Sequence, residues 1–166
     1  IMKNLKMDPQ KTNPNGVLAS ISSAKSELVD PDSFIKYAYG PFLEKVAQIF
    51  PLYKKKLKEQ NALDFDDLIC VVVRLFREQP DIRSLYQNKF SYLLIDEYQD
   101  TNHSQYIFGK LLTNQIGKIC VVGDVSQSIY SFRGANFRNV LSFEKDFPKA
   151  KIFHLGKNYR STKTIV

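Results

Sequence analysis

The sequence predicts a mixed α/β fold, in which an all-helical part is followed by part of a parallel β-sheet. Two observations lead to this prediction. Helical periodicity with clear start signals extends to about residue 90. After that point, short apolar runs alternate with helical stretches, which indicates a parallel sheet with right-handed crossovers. Polar loops follow these apolar runs, at the strand ends where parallel sheets bind their ligands.

The helical part is delimited by proline, glycine and aspartate. Residues 1–20 have the composition of a linker or loop. Helices are then predicted to begin after Asp30, after Gly40 and after Asp64, each of which precedes a helical apolar pattern. A further short helix is expected after the proline at residue 80. Pro51 lies within the second of these patterns and should kink or split that helix, because proline cannot donate to the preceding turn.

Three apolar runs in the second half are predicted to be strands: 93–96, 120–123 and 151–155. Each is short and continuous, which is typical of a strand buried on both faces of a parallel sheet. Helices are expected between them, at about 102–112 and 137–147. The carboxyl ends of the three strands can converge on one edge of one sheet.

Composition points to a polyanionic partner. The 166-residue chain has a formal net charge of +7, which favours nucleic acid. An alternative explanation is that the basic run 54–58 only solvates a helix face. Cys70 and Cys120 lie in apolar segments and are expected to be buried thiols in a reducing compartment. His103 and His154 lack zinc-ligand spacing, and the sequence has neither a signal peptide nor a transmembrane stretch.

Asp96 and Glu97 end the first predicted strand. One carboxylate could hold a hydrated Mg²⁺ while its neighbour orients a water for attack on a terminal phosphoryl group. Nucleotide hydrolysis is therefore the first hypothesis for this strand end. A strand that merely stops at acidic turn residues is the alternative for these two acids considered alone.

Four longer motifs together resemble the UvrD/PcrA/Rep group of superfamily 1 DNA helicases. They are ALDFDDLI at 62–69, DEYQDTN at 96–102 (motif II), VVGDVSQSIYSFRGA at 121–135 (motif III) and NYRS at 158–161 (motif IV). The similarity runs from about Ile21 to the end, in the family's order. Several long motifs in order are far more specific than any short pattern.

The resemblance implies a partial RecA-like P-loop NTPase sheet preceded by an all-helical subdomain. Residues 21–90 would form the family's helical insertion, and residues 91–166 the C-terminal half of the first motor domain. The family's glycine-rich phosphate loop, ending in Gly-Lys-Ser or Gly-Lys-Thr, does not occur among the 166 residues. We therefore expect a fragment that lacks this loop and the second motor domain, and that shows no ATPase activity on its own.

The resemblance also assigns catalytic and nucleotide-binding roles. Asp96 matches the carboxylate associated with Mg²⁺, and Glu97 matches the base for the attacking water, close to the same metal. Gln127 matches the residue that senses the γ-phosphate of ATP. Arg160 matches an arginine that contacts the γ-phosphate between motor domains, and Tyr159 an aromatic that packs against the nucleotide base.

Motif III is expected to contact single-stranded DNA through Tyr130, Phe132 and Arg133, since stacking on aromatic side chains is indifferent to base sequence. Arg133 could instead serve a protein carboxylate. The chain departs from the family twice, with Ser126 in place of the usual Asp and Phe132 in place of the usual Trp. Losing the acid removes one possible anchor for the loop of Gln127.

The predicted parent protein is an ATP-dependent 3′–5′ DNA helicase of DNA repair or replication restart. It would use ATP and Mg²⁺ and act on single-stranded DNA and duplex junctions, with the rest of the helicase chain as partner and repair proteins as candidates. We expect a cytoplasmic, nucleoid-associated protein of bacterial type without membrane contact. Two alternatives stay open: a nuclease-linked recombination helicase subunit, and a non-enzymatic DNA- or protein-binding module.

Overall fold

The computed structural model describes residues 1–113, 117–127, 138–162 and 164–165. Within these ranges the elements are α1 (Pro14–Ser26), α2 (Pro31–Tyr37), α3 (Pro41–Glu59), α4 (Asp67–Glu78), α5 (Pro80–Lys89), β1 (Leu93–Ile95), α6 (His103–Leu112), β2 (Ile119–Val121) and α7 (Arg138–Asp146). None of the helices in the described ranges is long and apolar enough to cross a bilayer. A helix-rich chain with a small parallel sheet agrees with the predicted α/β class.

Helix α1 begins earlier than the sequence pattern indicated. Asn13 caps it by accepting a hydrogen bond from the backbone N–H of Asn15 at 3.0 Å, and Pro14 occupies the first turn. Val17 and Ile21 of α1 are buried in the core. The prediction of a linker over residues 1–20 is therefore wrong for residues 14–20, because their apolar side chains have a helical partner to pack against.

A cluster of buried apolar side chains joins α1 to α3. It consists of Val17, Ile21, Ala24, Val46, Ile49 and Phe50. Phe34 of α2 packs edge-on against Phe50, with ring centroids 5.8 Å apart. Burying an aliphatic or aromatic side chain of this size contributes about 1.5–3 kcal/mol each. This cluster explains why the helical part forms around α3.

Two residues, Pro51 and Asp64, were expected to interrupt a helix and to begin one, respectively. Helix α3 runs without interruption from Pro41 to Glu59, so Pro51 does not split it, and the kink expected as the alternative stays a prediction. Packing of the buried residues before Pro51 holds the helix together despite the missing donor. Asp64 Oδ1 does accept from the backbone N–H of Asp67, the first residue of α4, at 3.0 Å, although Asp66 and not Asp64 directly precedes the helix.

The two strands pair in parallel, with Leu93 opposite Ile119 and Ile95 opposite Val121. Helix α6 covers one face of this pair. No described residue layer covers the other face, and Leu94 at its centre is 75% exposed. The prediction of strands buried on both faces is therefore wrong, since only one helical layer covers the sheet in the described residues.

The two cysteines, both expected to be buried, have different environments in the structure. Cys120 lies on the open face of β2 and is exposed, which contradicts the prediction of a buried thiol. Cys70 of α4 is half-buried, and its Sγ donates to the carbonyl oxygen of Lys25 at 3.2 Å. Burial raises the pKa of the Cys70 thiol to about 11, so this thiol is protonated at neutral pH.

The third predicted strand, 151–155, is not a strand in the structure. Its apolar side chains are exposed, Phe153 by 81%. An extended segment becomes a strand only when a neighbouring edge supplies hydrogen-bond partners, and neither described strand pairs with it. Helix α7, which precedes this segment, does form over 138–146, as its apolar pattern predicted.

Candidate active site

Asp96 and Glu97 follow β1 directly, at the carboxyl end of the strand. Both side chains are exposed, and the backbone N–H of Glu97 donates to Asp96 Oδ1 at 2.9 Å. Glu97 adopts a left-handed backbone conformation with φ of 49°. Such a conformation costs a residue with a Cβ roughly 1–3 kcal/mol and is typical of functional turns. The turn presents both carboxylates at the edge of the sheet.

A second loop reaches the same edge after β2. Asp124 accepts a hydrogen bond from Gln127 Nε2 at 2.8 Å and another from the backbone N–H of Ser126 at 2.9 Å. These bonds, that from Gln127 first, lower the pKa of the Asp124 carboxyl below its usual value. Asp124 thus supplies the anchor that the loop was expected to lose when Ser126 replaced an acid.

Gln99 connects the two loops. Its side chain is buried, with only 1% of the residue exposed. Its Nε2 donates to Glu97 Oε2 at 2.8 Å, and its Oε1 accepts from the backbone N–H of Asp124 at 3.0 Å. Glu97 and Gln127, which are far apart in sequence, therefore belong to one hydrogen-bonded network at the carboxyl edge of the sheet.

Gly123 makes this network possible at the end of β2. A Cβ on Gly123 would lie 2.8 Å from Gln99 Oε1 and 3.4 Å from the backbone nitrogens of Gln99 and Tyr98. Only glycine lets the two strand ends approach so closely. The approach also allows the N–H of Tyr98 to donate to the carbonyl oxygen of Val122 at 2.9 Å.

Helix α7 contacts and supports the turn that follows Glu97. Asn139 Nδ2 donates to the carbonyl oxygen of Thr101 at 2.9 Å, and Thr101 Oγ1 donates to the carbonyl oxygen of Tyr98 at 2.7 Å. The ring of Tyr98 is buried edge-on against Phe143, with centroids 5.8 Å apart. Burial, together with the negative charge of Asp146, raises the pKa of Tyr98 to about 12. The side chain that supports this turn, Tyr98, is therefore buried and uncharged at neutral pH.

A cavity of about 380 Å³ opens beside the two acids. Its polar lining includes Asp96, Glu97, Asp100 and Thr101. Asp100 Oδ1 is buried and has no hydrogen-bond partner among the described residues. Carboxylate oxygens are the ligands that Mg²⁺ prefers, and this ion usually takes one or two of them together with waters and phosphates. The donor set therefore fits a hydrated Mg²⁺.

The described residues contain no group of three His, Cys, Asp or Glu side chains that could hold a metal ion alone. A Mg²⁺ here would depend on water and phosphate oxygens for its remaining ligands, as in nucleotide sites generally. That dependence suits an ion that arrives with a nucleotide better than a permanent structural metal.

The structure does not bring the NYRS segment into this network. Tyr159 is 84% exposed, and the backbone N–H of Arg160 donates to Asn158 Oδ1 at 2.8 Å within the segment itself. Lys157 Nζ lies 4.9 Å from the centroid of the Tyr159 ring. Among the described residues, neither Tyr159 nor Arg160 shares a hydrogen bond with Asp96, Glu97 or Gln127. Their roles remain predictions.

The three predicted DNA contacts, Tyr130, Phe132 and Arg133, lie outside the described residues. The described part of their loop ends at Gln127, in a short 3₁₀ turn after Asp124. Their assignment continues to rest on the sequence resemblance alone.

Sequence reasoning missed Gln99 and Asp124. Gln99 stands between a tyrosine and an aspartate in a polar stretch, where an exposed side chain is the ordinary expectation. The available signal was Gly123, because a glycine at a strand end can mark a close approach of another backbone. The identity of the approaching residue could not be inferred from that signal.

Comparison with known proteins gives one family. Residues 1–148 match the family model described as the UvrD/REP helicase N-terminal domain. Over all 166 residues the chain is 48% identical to the ATP-dependent DNA helicase PcrA of Bacillus subtilis, 46% to that of Staphylococcus aureus and 43% to that of Leuconostoc citreum. The chain spans only 22–23% of the length of these relatives.

Proposed function

Because the chain belongs to the UvrD/REP helicase family, we propose that it carries part of the ATP-hydrolysing site of a DNA helicase. The observation that supports this proposal is the network of Glu97, Gln99, Asp124 and Gln127 at the carboxyl edge of a parallel sheet. Relatives of high identity are named ATP-dependent DNA helicases. A carboxylate fixed at a strand end suits the activation of water for phosphoryl transfer.

In the proposed reaction, Glu97 accepts the proton of the attacking water. One of its oxygens is already oriented by Gln99, which leaves the other for the water. Asp96 would hold Mg²⁺, which would supply positive charge to offset that of the phosphates. Gln127 would exchange its bond to Asp124 for a bond to the terminal phosphate or the water. Positioning and electrostatics account for most of the catalysis of phosphoryl transfer.

We propose a RecA-like arrangement for the sheet, with the helices before β1 as an insertion in the first motor domain. The insertion would include α1 from Pro14 onwards, since α1 packs into the same core as α3. The exposed Tyr159 and Arg160 would meet the base and γ-phosphate of ATP in a cleft completed by a second motor domain. A guanidinium suits the phosphate contact through its planar fork of donors.

The proposed contacts with DNA are made by motif III. Tyr130, Phe132 and Arg133 would stack on and contact single-stranded DNA without sequence preference. We propose 3′–5′ translocation and unwinding at duplex junctions during DNA repair or replication restart. The activity would take place at the bacterial nucleoid, with repair proteins as candidate partners.

The test is Glu97→Gln in a helicase-length chain that contains these 166 residues. The amide keeps the size of the side chain but cannot accept the proton. We expect kcat for ATP to fall roughly 10²–10⁴-fold, while the affinities for ATP and single-stranded DNA stay within a factor of about two. Glu44→Gln, an exposed glutamate of α3, is the control and should leave kcat unchanged.

Two results would contradict the proposal. Equal losses of ATP affinity and kcat would give Glu97 a binding role instead of a catalytic one. Binding of DNA without any ATP turnover by the unsubstituted protein would favour a binding module.

A further inference from the structure

A continuous chain of hydrogen bonds links Gln127 to Glu97. Gln127 donates to the Asp124 side chain, the Asp124 backbone donates to Gln99, and Gln99 donates to Glu97. We propose that Gln99 is a positioning residue for Glu97 and couples it to the loop that carries Gln127. This inference rests on the proposed function of Glu97 as the base.

The two bonds of Gln99 need an amide. Its Nε2 must donate, because Glu97 presents a carboxylate oxygen at 2.8 Å, and its Oε1 must accept, because Asp124 presents an N–H at 3.0 Å. A carboxylate at residue 99 could make only the second bond, and an apolar side chain could make neither. The residue type therefore matches two different partners at once.

Burial makes the position of the amide definite. A buried polar group left without a partner costs roughly 1–3 kcal/mol. Turning the Gln99 amide away from either partner would therefore be unfavourable. Gly123 leaves the space that Oε1 needs beside the end of β2, since a Cβ there would lie only 2.8 Å from it. The carboxylate of Glu97 is exposed, yet one of its oxygens is tied to a fixed group.

The same geometry gives Gln99 a coupling role. When Gln127 leaves Asp124 to reach a phosphate, the Asp124 carboxylate loses the donor that holds its side chain. Any resulting shift of the Asp124 backbone moves the N–H on which Gln99 rests. Gln99 then transmits that shift to Glu97 through its other bond. Nucleotide contact at one loop would thus adjust the orientation of the base on the other loop.

A purely structural role for Gln99 is the competing explanation. In that case Gln99 would only satisfy the Asp124 N–H and fill space between the strand ends. Two substitutions separate the explanations in a helicase-length chain containing these residues. Gln99→Met keeps the approximate volume and removes both bonds. Gln99→Glu keeps an acceptor for Asp124 and removes the donor to Glu97.

We expect both variants to lower kcat for ATP roughly 10–100-fold and to leave the affinity for ATP within about twofold, because a misplaced base slows the reaction without weakening binding. Combining Gln99→Met with Glu97→Gln should lower kcat no further than Glu97→Gln alone, since residues that act as a unit are not additive. Gln87→Met is the matched control. Gln87 donates to the carbonyl oxygens of Leu111 and Thr113, away from the acids, so its loss should leave kcat unchanged.

Amide hydrogen exchange of the 166-residue chain supplies a second measurement. The Asp124 N–H should remain protected in Gln99→Glu and lose protection in Gln99→Met. Retained activity in Gln99→Glu would overturn the positioning role, as would a further loss when Gln99→Met is added to Glu97→Gln. An unaltered kcat in Glu97→Gln itself would instead overturn the proposed function, which distinguishes the two failures.

Discussion

At the scale of single residues, Lys25 in α1 is a buried charge held by two carboxylates. Its side chain is only 7% exposed, and its Nζ lies 2.6 Å from Asp64 Oδ2 and 2.8 Å from Asp67 Oδ1. Tyr53 also donates to Asp64, at 3.0 Å. Burial raises the pKa of Asp64, but the bonds from Lys25 and from the Asp67 N–H outweigh it, so the pKa lies below its usual value of 3.8. The group ties α1 and α3 to the start of α4.

Replacing Lys25 by methionine should therefore destabilise the chain. The substitution keeps a long apolar stem but leaves two partly buried carboxylates without their cation. We expect the free energy of unfolding to fall by about 2–4 kcal/mol in urea titrations at pH 7.

Lys55→Met is the matched control for this prediction. Lys55 is exposed and lies 4.0 Å from Glu59, so its loss should change stability by less than about 0.5 kcal/mol. Equal effects of the two substitutions would mean that the Lys25 pairs contribute no more than surface charges.

Single residues also show what the sequence could and could not reveal about the site. Asp96 and Glu97 were placed correctly at a strand end, because an apolar run followed by acids defines that position locally. The network around Gln99 was not predicted, since it depends on how closely Gly123 approaches from another strand. Local patterns identify strand ends, whereas contacts between strand ends require the packed structure.

At the scale of elements, the starts of α2 and α3 were predictable. Pro31 and Pro41 occupy the first turns of α2 and α3, where proline lacks only a donor that the helix does not use. Strand 151–155 was mispredicted for the opposite reason, because a strand depends on a partner edge and not on its own sequence. Pro51 is an intermediate case: its local sequence predicts an interruption, but the packing of α3 keeps the helix continuous.

Pro51→Ala should accordingly stabilise α3. Alanine restores an N–H that can donate to the carbonyl oxygen one turn earlier, and a proline inside a helix costs roughly 3 kcal/mol relative to alanine. The more flexible unfolded chain offsets up to about 1 kcal/mol of this gain. We expect a net increase of about 1–2 kcal/mol in the free energy of unfolding, measured by urea titration. Unchanged or lower stability would show that neighbouring side chains are adapted to the proline.

At the scale of the whole molecule, the helical part and the sheet share one packed structure. Helix α4 packs on α6, which in turn covers the strands that end at the candidate site. The alternation of elements predicted a parallel sheet with helical crossovers, but it did not predict that α4 of the helical part packs on α6. The extent of the sheet was not, because two described strands leave one face and the 151–155 segment uncovered.

The charge of the whole molecule leads to the last prediction. With a net charge of +7, the chain should bind single-stranded DNA, and more weakly as salt rises. Two different surfaces could be responsible: the motif III loop with Phe132, or the lysine run of α3. Lys55 and Lys56 of that run lie 4.0 Å and 3.4 Å from Glu59, which favours a solvated face that makes little contact with DNA.

Phe132→Ala should therefore weaken binding by roughly 1–3 kcal/mol, the contribution of one base stacked on an aromatic side chain. Lys55→Ala should change it little. Fluorescence titration of a labelled oligonucleotide at two salt concentrations measures both effects, with circular dichroism of each variant to verify folding. If Lys55→Ala lowers the affinity for DNA and Phe132→Ala does not, the binding is due to charge alone. Stacking depends on the aromatic face, whereas charge attraction depends on the lysines.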